Sequence, residues 1–331
     1  MRLFPRGIWV NRTRGIILLC TLLLGASFLV PALVQAKEQF VAVVVTGDLP
    51  RYKAAHEAFV AILRTAGMSE DKLKIYVQTP NPDKMSWGNS LRKAAGVGAD
   101  LIITYGAPVS LFAKQEVDGV PLLFADVYDP VALGLVKDLN ITGGEISGVS
   151  SATPLDALVL HFTKMFPAKN VGVLSSSQEE GASLQAKRLE DLGGKSGFAV
   201  VKADVKSSAD LNKVLEGLVG KIDSLYLTEG VAISMNLPAV MAFAASNSWP
   251  VFSQIPGLGE QGALINLEAD PVEQGQLLGV HAIQVLNGQK VFALPVRLPK
   301  KVALVVNLKT ASALKIAVPP DVLTGAARVI K

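Results

Sequence analysis

The stretch Leu122–Val136, LLFADVYDPVALGLV, decides how the rest of the chain is read. From Val120 to Val127 it is a mostly apolar run with the composition of a strand. The run stops at Asp129-Pro130, and Val131-Ala132-Leu133 follows with helix-like character. An Asp side chain accepts the orphan N–H groups of a first helical turn, and Pro suits the first helical position because its missing N–H loses nothing there. The stretch therefore predicts a strand, a tight turn and a helix start, with Tyr128 and Asp129 beyond the strand's carboxyl end. In open α/β sheets ligands bind at that end. An ordinary capped turn carries the same signature, so the weight falls on what surrounds it.

Toward the N-terminus, Phe40–Val45 (FVAVVV) is a continuous apolar run of buried parallel-strand type. A helix is predicted over Tyr52–Ala66, a strand at Lys74–Val77, and a helix opening at Asn81-Pro82-Asp83 and running through Ala95. A strand at Asp100–Thr104 and a helix from Gly106 toward Glu116 complete the series. Strands alternating with helices at this spacing imply right-handed crossovers and a parallel sheet. Toward the C-terminus, the Gly-rich Ile141–Val149 is poor in helix formers, and Pro154–Phe166 reads as a helix. The alternation then restarts, with strands at Asn170–Leu174, Phe198–Val201, Ile222–Leu227, Pro250–Ser253 and Ala263–Leu267. Helices are predicted at Glu179–Leu192, Ala209–Val219 and from Gly230 through Ala245.

The class is α/β, with two successive units of similar pattern. After them come a long helix at Pro271–Asn287, a strand at Val302–Leu308 and a last helix after Ile316–Pro320. These are too few strands for a third domain, so the tail is expected to complete the first lobe. The predicted layout is residues 37–150 plus 268–331 in one lobe and 151–267 in the other. The chain would cross between them near Gly148–Ser151, Leu267–Ala269 and Leu294–Arg297.

The first 36 residues stand apart. Arg2, Arg6, Arg12 and Arg14 precede an apolar run, Gly15–Leu33, and Val34-Gln35-Ala36 supplies small residues before a cut. This predicts a secretory signal peptide cleaved between Ala36 and Lys37, and hence a periplasmic protein. The run is also long enough to stay as a membrane anchor; Pro31 and the cleavage-like site favour removal. Without the leader's four Arg, the 32 basic residues fall to 28 against 28 acidic ones, so the mature chain is formally neutral. Nothing in that balance suggests a nucleic-acid partner. The one cysteine, Cys20, lies in the leader behind Leu18-Leu19, without the small residues of a lipid-anchor signal. The mature chain then has no disulfide or thiolate chemistry.

No catalytic or metal motif survives inspection. Gly257–Gly262 matches G-x-G-x-x-G in letters, but a strand-like Ala263-Leu264-Ile265 follows where a dinucleotide fingerprint needs a helix. Gly194-Lys195-Ser196 resembles the end of a P-loop but closes a helix. His56, His161 and His281 are far apart and show no metal-ligand spacing. There is no nucleophile elbow, and no metal or cofactor is expected. What remains is a set of polar or aromatic turns after strands in both halves: Thr46 and Asp48; Tyr105 and Ala107; Tyr128 and Asp129; Ser175, Ser176 and Gln178; Thr228 and Glu229; Ser253 and Gln254. Such turns face each other across the cleft of a two-lobed protein, and without catalytic machinery they point to binding. Ser175 and Ser176 suit an anion at a helix N-terminus, and Tyr105 and Tyr128 offer aromatic area to a ligand body.

Several blocks, in order, cover nearly the whole mature chain: ITYGAPVSLFAKQEVDGVPLLFADVYDPVALGLV (Ile103–Val136), ITGGEISGVS (Ile141–Ser150), VGVLSSSQEEGASLQ, IDSLYLTEG, WPVFSQIPGLGEQGAL and LVVNLKTASAL…IAVPPDVL. With them the sequence resembles the ABC transporter substrate-binding proteins whose better-known members take up tryptophan, tyrosine and related amino acids. The resemblance implies a type I periplasmic binding protein, two Rossmann-like lobes closing on a small ligand, with an ABC permease of the inner membrane as partner and a monomeric mature chain. It also implies that a carboxylate holds the ligand's amino group, here Glu229. Three turns depart from the family pattern: Ala107 stands where a hydroxyl residue is frequent, Thr228-Glu229-Gly230 replaces Thr-Asp-Asn, and Ser253-Gln254-Ile255-Pro256 replaces a Ser-Asp-Glu-type turn. Two other readings stay open: a sensor passing ligand occupancy to a membrane receptor, and a hydrolase on an α/β scaffold.

Overall fold

The computed structural model describes residues 1–2 and 38–331. The expected leader, with its apolar run and Cys20, falls at residues 3–37, outside the described residues. Among the described residues no helix is long and apolar enough to cross a membrane.

The first sheet holds β1 (Gln39–Val45), β2 (Leu73–Gln78), β3 (Leu101–Tyr105), β4 (Leu122–Val127) and β5 (Ile146–Ser150), all parallel, in the order β2-β1-β3-β4-β5. Helices α1 (Pro50–Thr65), α2 (Lys84–Gly96) and α3 (Ala107–Glu116) make the first three crossovers. Strands β3 and β4 are buried along their whole length. Their continuous Leu, Ile, Phe and Val content follows from that, since a parallel sheet is covered on both faces.

The second lobe contains α4 (Leu155–Met165), β6 (Asn170–Ser175), α5 (Glu180–Ser196), β7 (Ala199–Asp204) and α6 (Leu211–Glu216). It continues through β8 (Ser224–Leu227), α7 (Val231–Ser234), α8 (Leu237–Ser246), β9 (Val251–Ser253) and β10 (Ile265–Ala269). Pro238 in the first turn of α8 accounts for the division of the predicted Gly230–Ala245 helix into two. Strand β5, in the Gly-rich segment, had no strand signal in the sequence.

After β10 comes α9 (Pro271–Leu286), which packs along α1 of the first lobe. Gly275 makes this approach possible, because a Cβ there would stand 1.9 Å from the carbonyl oxygen of Ala55. The chain then runs along β5 of the first sheet, where Ser147 Oγ donates to the Leu294 carbonyl and Val149 bridges Arg297, before entering β11 (Val302–Asn307), α10 (Leu308–Ala313), α11 (Pro320–Gly325) and β12 (Arg328–Ile330). Here the predicted layout needs correction. β11 pairs antiparallel with β10, and the second sheet runs β12-β11-β10-β9-β8-β6-β7. The tail from 302 onward thus extends the second lobe, and only α9 and its exit lie against the first. An apolar strand fits either sheet edge. The choice was made by the open edge of β10 and by the Glu273 carboxylate, which accepts from the Lys300 and Lys301 N–H groups and aims the chain there.

The opening stretch also folds differently beyond its strand. Asp129 does cap, its carboxylate accepting from Ala132 N–H, but no helix follows. The turn closes after one round at Gly134, whose φ of +66° cannot continue a right-handed helix.

Candidate functional site

The carboxyl ends of both sheets meet around a small internal cavity. Its wall is Arg51, Tyr52, Ala107, Pro108, Asp126 and Tyr128 from the first lobe, and Glu179, Gly181, Ala182, Gln185, Glu229 and Val231 from the second. The space is about 20 Å³, room for roughly one water. A hollow of about 1040 Å³ exists elsewhere, against edge strand β2. It belongs to one lobe and lies away from the strand ends where chemistry converges in this fold.

Arg51, in the first turn of α1, is the hub. Its Nε donates to Asp126 Oδ2 at 2.6 Å, Nη1 to Ser234 Oγ at 2.9 Å, and Nη2 to the Glu229 carbonyl at 2.9 Å. One planar fork therefore spans both lobes, a task for which guanidinium is better shaped than ammonium. Burial works against its charge, but Tyr52, Asp126 and Glu229 more than offset this, so its pKa lies above the usual value.

Asp126 reaches the cavity through an unusual backbone. Its φ is +57°, the β4–β5 register shifts between Phe124 and Val127, and its N–H donates to Gln274 Oε1 of α9 at 3.0 Å. Such irregularities re-aim a side chain and cost about 1–3 kcal/mol, sustained only where surroundings enforce them. Glu229 follows β8. Ser151 Oγ donates to its carboxylate at 3.2 Å, and its own N–H donates to Gln185 Oε1 at 2.8 Å. Burial, then the nearby Asp126, raise the Glu229 carboxyl to about 8 against the opposing pull of Arg51, Ser151 and Gln185. Glu179, before α5, accepts from Val231 N–H at 2.9 and 3.0 Å, and burial raises its pKa as well.

Tyr128 covers one side of the cavity, and the Arg188 guanidinium lies 5.2 Å from its ring centre. Arg188 of α5 also pairs with Asp129, a second tie between the lobes. With Arg51 bridging as well, the lobes are held closed.

Of the sequence-predicted residues, Ala107, Tyr128 and Glu229 line the cavity, and Asp129 stands behind Tyr128. Thr46, Ser176 and Gln178 border a separate groove of about 680 Å³ between the lobes. Thr46 Oγ1 is occupied by the Tyr105 carbonyl at 2.7 Å. Ser175 is half-buried and its carbonyl accepts from Val205 N–H. Asp48 is exposed. Tyr105 is in the first-lobe core beside Tyr52 and His56, because its side chain leaves β3 on the face covered by α1. Thr228 and Ser253 are buried, their hydroxyls donating to the Leu174 and Leu227 carbonyls. Gln254 is buried beneath Tyr226, whose hydroxyl donates to it at 2.8 Å. Sequence reasoning missed Arg51, Tyr52, Asp126, Glu179 and Gln185. Arg51 had a signal, as a charged residue directly after the turn that follows β1; Asp126 had none, since its left-handed backbone is set by tertiary contacts. Among the described residues no group of three or more His, Cys, Asp or Glu side chains is placed to hold a metal ion.

Two lobes of largely parallel sheet closed over a buried, charged cavity define a ligand-binding protein. The family model for ABC transporter substrate binding proteins matches residues 40–330, and the chain belongs to that family. It is 30% identical over 267 residues to the tyrosine-binding protein of Clostridioides difficile (strain R20291), covering 80% of this chain and 77% of that one. The fold is similar to an ABC domain in complex with L-Trp from Streptococcus pneumonia, with a TM-score of 0.84, 25% identity, and coverage of 89% of this chain and 100% of that one. A ligand-free, open substrate binding protein with adhesive properties from Clostridium difficile matches at a TM-score of 0.66, with 28% identity and coverage of 88% and 99%. The lower score against the open structure accords with lobes drawn together. The chain is thus a substrate-binding protein of an ABC transporter, a family of solute capture rather than catalysis.

Proposed function

We propose that this protein captures an α-amino acid with an aromatic side chain between its lobes and delivers it to an ABC permease. The observation that carries this reading is a charge imbalance. Three carboxylates, Asp126, Glu179 and Glu229, converge on a cavity wall with one guanidinium, Arg51. Burial, and for Glu229 also the nearby Asp126, raises the carboxyl pKa values of Glu179 and Glu229, so ionising both would leave more negative than positive charge on the wall. A ligand ammonium offsets that excess, and Tyr128 and Tyr52 offer ring faces to the ligand's body. The tyrosine-binding relative and the L-Trp complex support the choice of an aromatic amino acid.

Binding would draw on the hinge. The cavity as closed is too small for such a ligand, so the Arg51 and Arg188 ties must break and re-form around it, with the crossings near 150, 269 and 297 as the hinge strands. The leader would direct the chain to the periplasm and be cleaved after Ala36, leaving a monomer. Mass spectrometry of small molecules released from the denatured purified protein, followed by calorimetry with L-tryptophan, L-tyrosine and the other common L-amino acids, tests this reading. It expects an aromatic amino acid to bind most tightly; binding of another ligand class with no response to any amino acid would refute it.

A further inference from the structure

The left-handed turn at Asp126 is the least self-supporting part of the site, and its support lies outside the cavity. Asp126 and Gln274 are both buried, and the Asp126 N–H donates to Gln274 Oε1 at 3.0 Å. Gln274 does not line the cavity. It belongs to the first turn of α9, where the chain has just crossed back from the second lobe. That turn is itself anchored. The Asp270 carboxylate caps it by accepting from Val272 N–H at 2.9 Å, and Glu273 accepts from the Lys300 and Lys301 N–H groups just past the third crossing. A non-glycine residue with positive φ keeps that backbone only where its surroundings over-determine it, and a buried N–H without an acceptor is costly. Gln274 answers both needs with one bond.

The next residue steadies the other half of the same ion pair. Gly275 lets α9 seat against the Ala55 carbonyl of α1, one turn beyond Arg51. Consecutive residues of α9 thus hold Asp126 by its backbone and the helix that carries Arg51. With its Nε bound to Asp126 Oδ2 at 2.6 Å, the guanidinium presents its two remaining nitrogens to Ser234 and to the Glu229 carbonyl of the second lobe.

We infer that Gln274 is a positioning residue: through the Asp126 N–H it aims the Asp126 carboxylate, which aims Arg51 across the cleft, and it thereby sets both ligand-free closure and the affinity of the site. The affinity half rests on the amino-acid reading above; the closure half needs no ligand. Without the Gln274 acceptor, Asp126 relaxes toward ordinary strand backbone. Its side chain then turns away from Arg51, because successive side chains of a strand leave by opposite faces. The guanidinium loses the partner that fixes its direction, and the tie to the second lobe loosens.

The test is a double-mutant cycle, read by calorimetry with L-tryptophan and L-tyrosine and, without ligand, by solution scattering. Gln274→Met keeps the length but is only a weak acceptor, whereas Gln274→Glu keeps a strong acceptor at the same reach. Asp126→Asn retains the N–H and the tolerance of a left-handed backbone but removes the charge. Gln274→Met should weaken binding by about tenfold or more and enlarge the ligand-free radius of gyration, and Gln274→Glu should return both to near the wild-type values. In the Asp126→Asn background, Gln274→Met should change affinity by no more than about twofold, although it lowers the urea midpoint in both backgrounds. Gln274→Asn, polar but one methylene short, takes the place of the Met variant if that fails to fold. Equal losses of affinity in the two backgrounds, or wild-type affinity in Gln274→Met, would overturn the inference and leave the amino-acid reading intact. If wild type binds neither amino acid, that reading falls and the scattering decides. Expansion in Gln274→Met that Gln274→Glu reverses then supports the positioning role, and an unchanged radius overturns it.

Discussion

Replacing Glu229 by Gln tests the charge logic of the cavity most directly. In the ligand-free site the Glu229 carboxyl is raised to about 8, first by burial and then by Asp126. A bound ammonium lowers it by adding a positive charge beside it, so the bound-state value lies below the free-state value. Binding then releases a proton at pH values between the two. Affinity is full above the free-state value and falls as pH drops through it, by up to about tenfold per pH unit for one proton. From pH 8 to pH 6 the wild-type Kd for an aromatic amino acid should weaken by as much as about 50-fold, since half of the groups are already protonated at pH 8 and the slope reaches about tenfold per unit only below it. The amide of the Glu229→Gln variant cannot ionise, so this component of the slope disappears; whatever Glu179 contributes stays in both proteins. Near pH 9 the variant should bind about 10–150-fold more weakly, the loss of roughly 1.5–3 kcal/mol for a bond to a charged group. By pH 6 the two proteins should converge. Titration calorimetry between pH 6 and 9, in buffers of differing ionisation enthalpy, reads both the Kd and the protons released. Equal slopes in the two proteins, or a wild-type affinity that is flat with pH, would refute the reasoning.

Other expectations concern separate parts of the molecule. Because burial raises the folded-state pKa of Glu229, ionising it destabilises the ligand-free protein as pH rises from the unfolded value toward about 8, so Glu229→Gln should raise the Tm at pH 9 and change it little at pH 5. Tyr128→Ala should weaken binding by at least about tenfold, about 1.4 kcal/mol, with an unchanged circular dichroism spectrum; loss of stability with intact affinity would make Tyr128 a packing residue. Arg188→Ala removes a half-buried tie worth about 0.2–1 kcal/mol, which should enlarge the radius of gyration of the ligand-free protein in solution scattering and leave its urea midpoint nearly unchanged. Gly275→Val forces apart α1 and α9, where a Cβ already meets Ala55 O, and should cost about 2 kcal/mol or more in urea unfolding, at the upper end of overpacking effects.

Much of the architecture could be read from local pattern. Continuous apolar runs such as Phe40–Val45 and Ile102–Thr104 belong to strands buried on both faces, and the helical spacing of Ala55, Phe59 and Leu63 marks the face of α1 that enters the first core. These signals are periodic and short-range, so they survive in sequence alone, as does the placing of Tyr128 and Glu229 at strand ends. Pairing and aim do not survive in this way. An apolar strand such as Val302–Asn307 carries no mark of which sheet it will join; the free edge of β10 and the Glu273 contacts decided that. Tyr105 and Tyr128 both stand at the ends of strands, yet one points under α1 and the other into the cavity, because the direction of a side chain depends on pleat and bulge. Asp126 enters the site only through a left-handed backbone held by Gln274, which is 148 residues away in the chain. Arg51 becomes the hub only once two lobes bring Asp126, Ser234 and the Glu229 carbonyl to one guanidinium. Sequence by itself determined most of the elements, their alternation and the strand ends where a ligand would sit. The buried charges of the site exist only in the tertiary structure, since desolvation and convergence are properties of the packed chain and not of any segment of it.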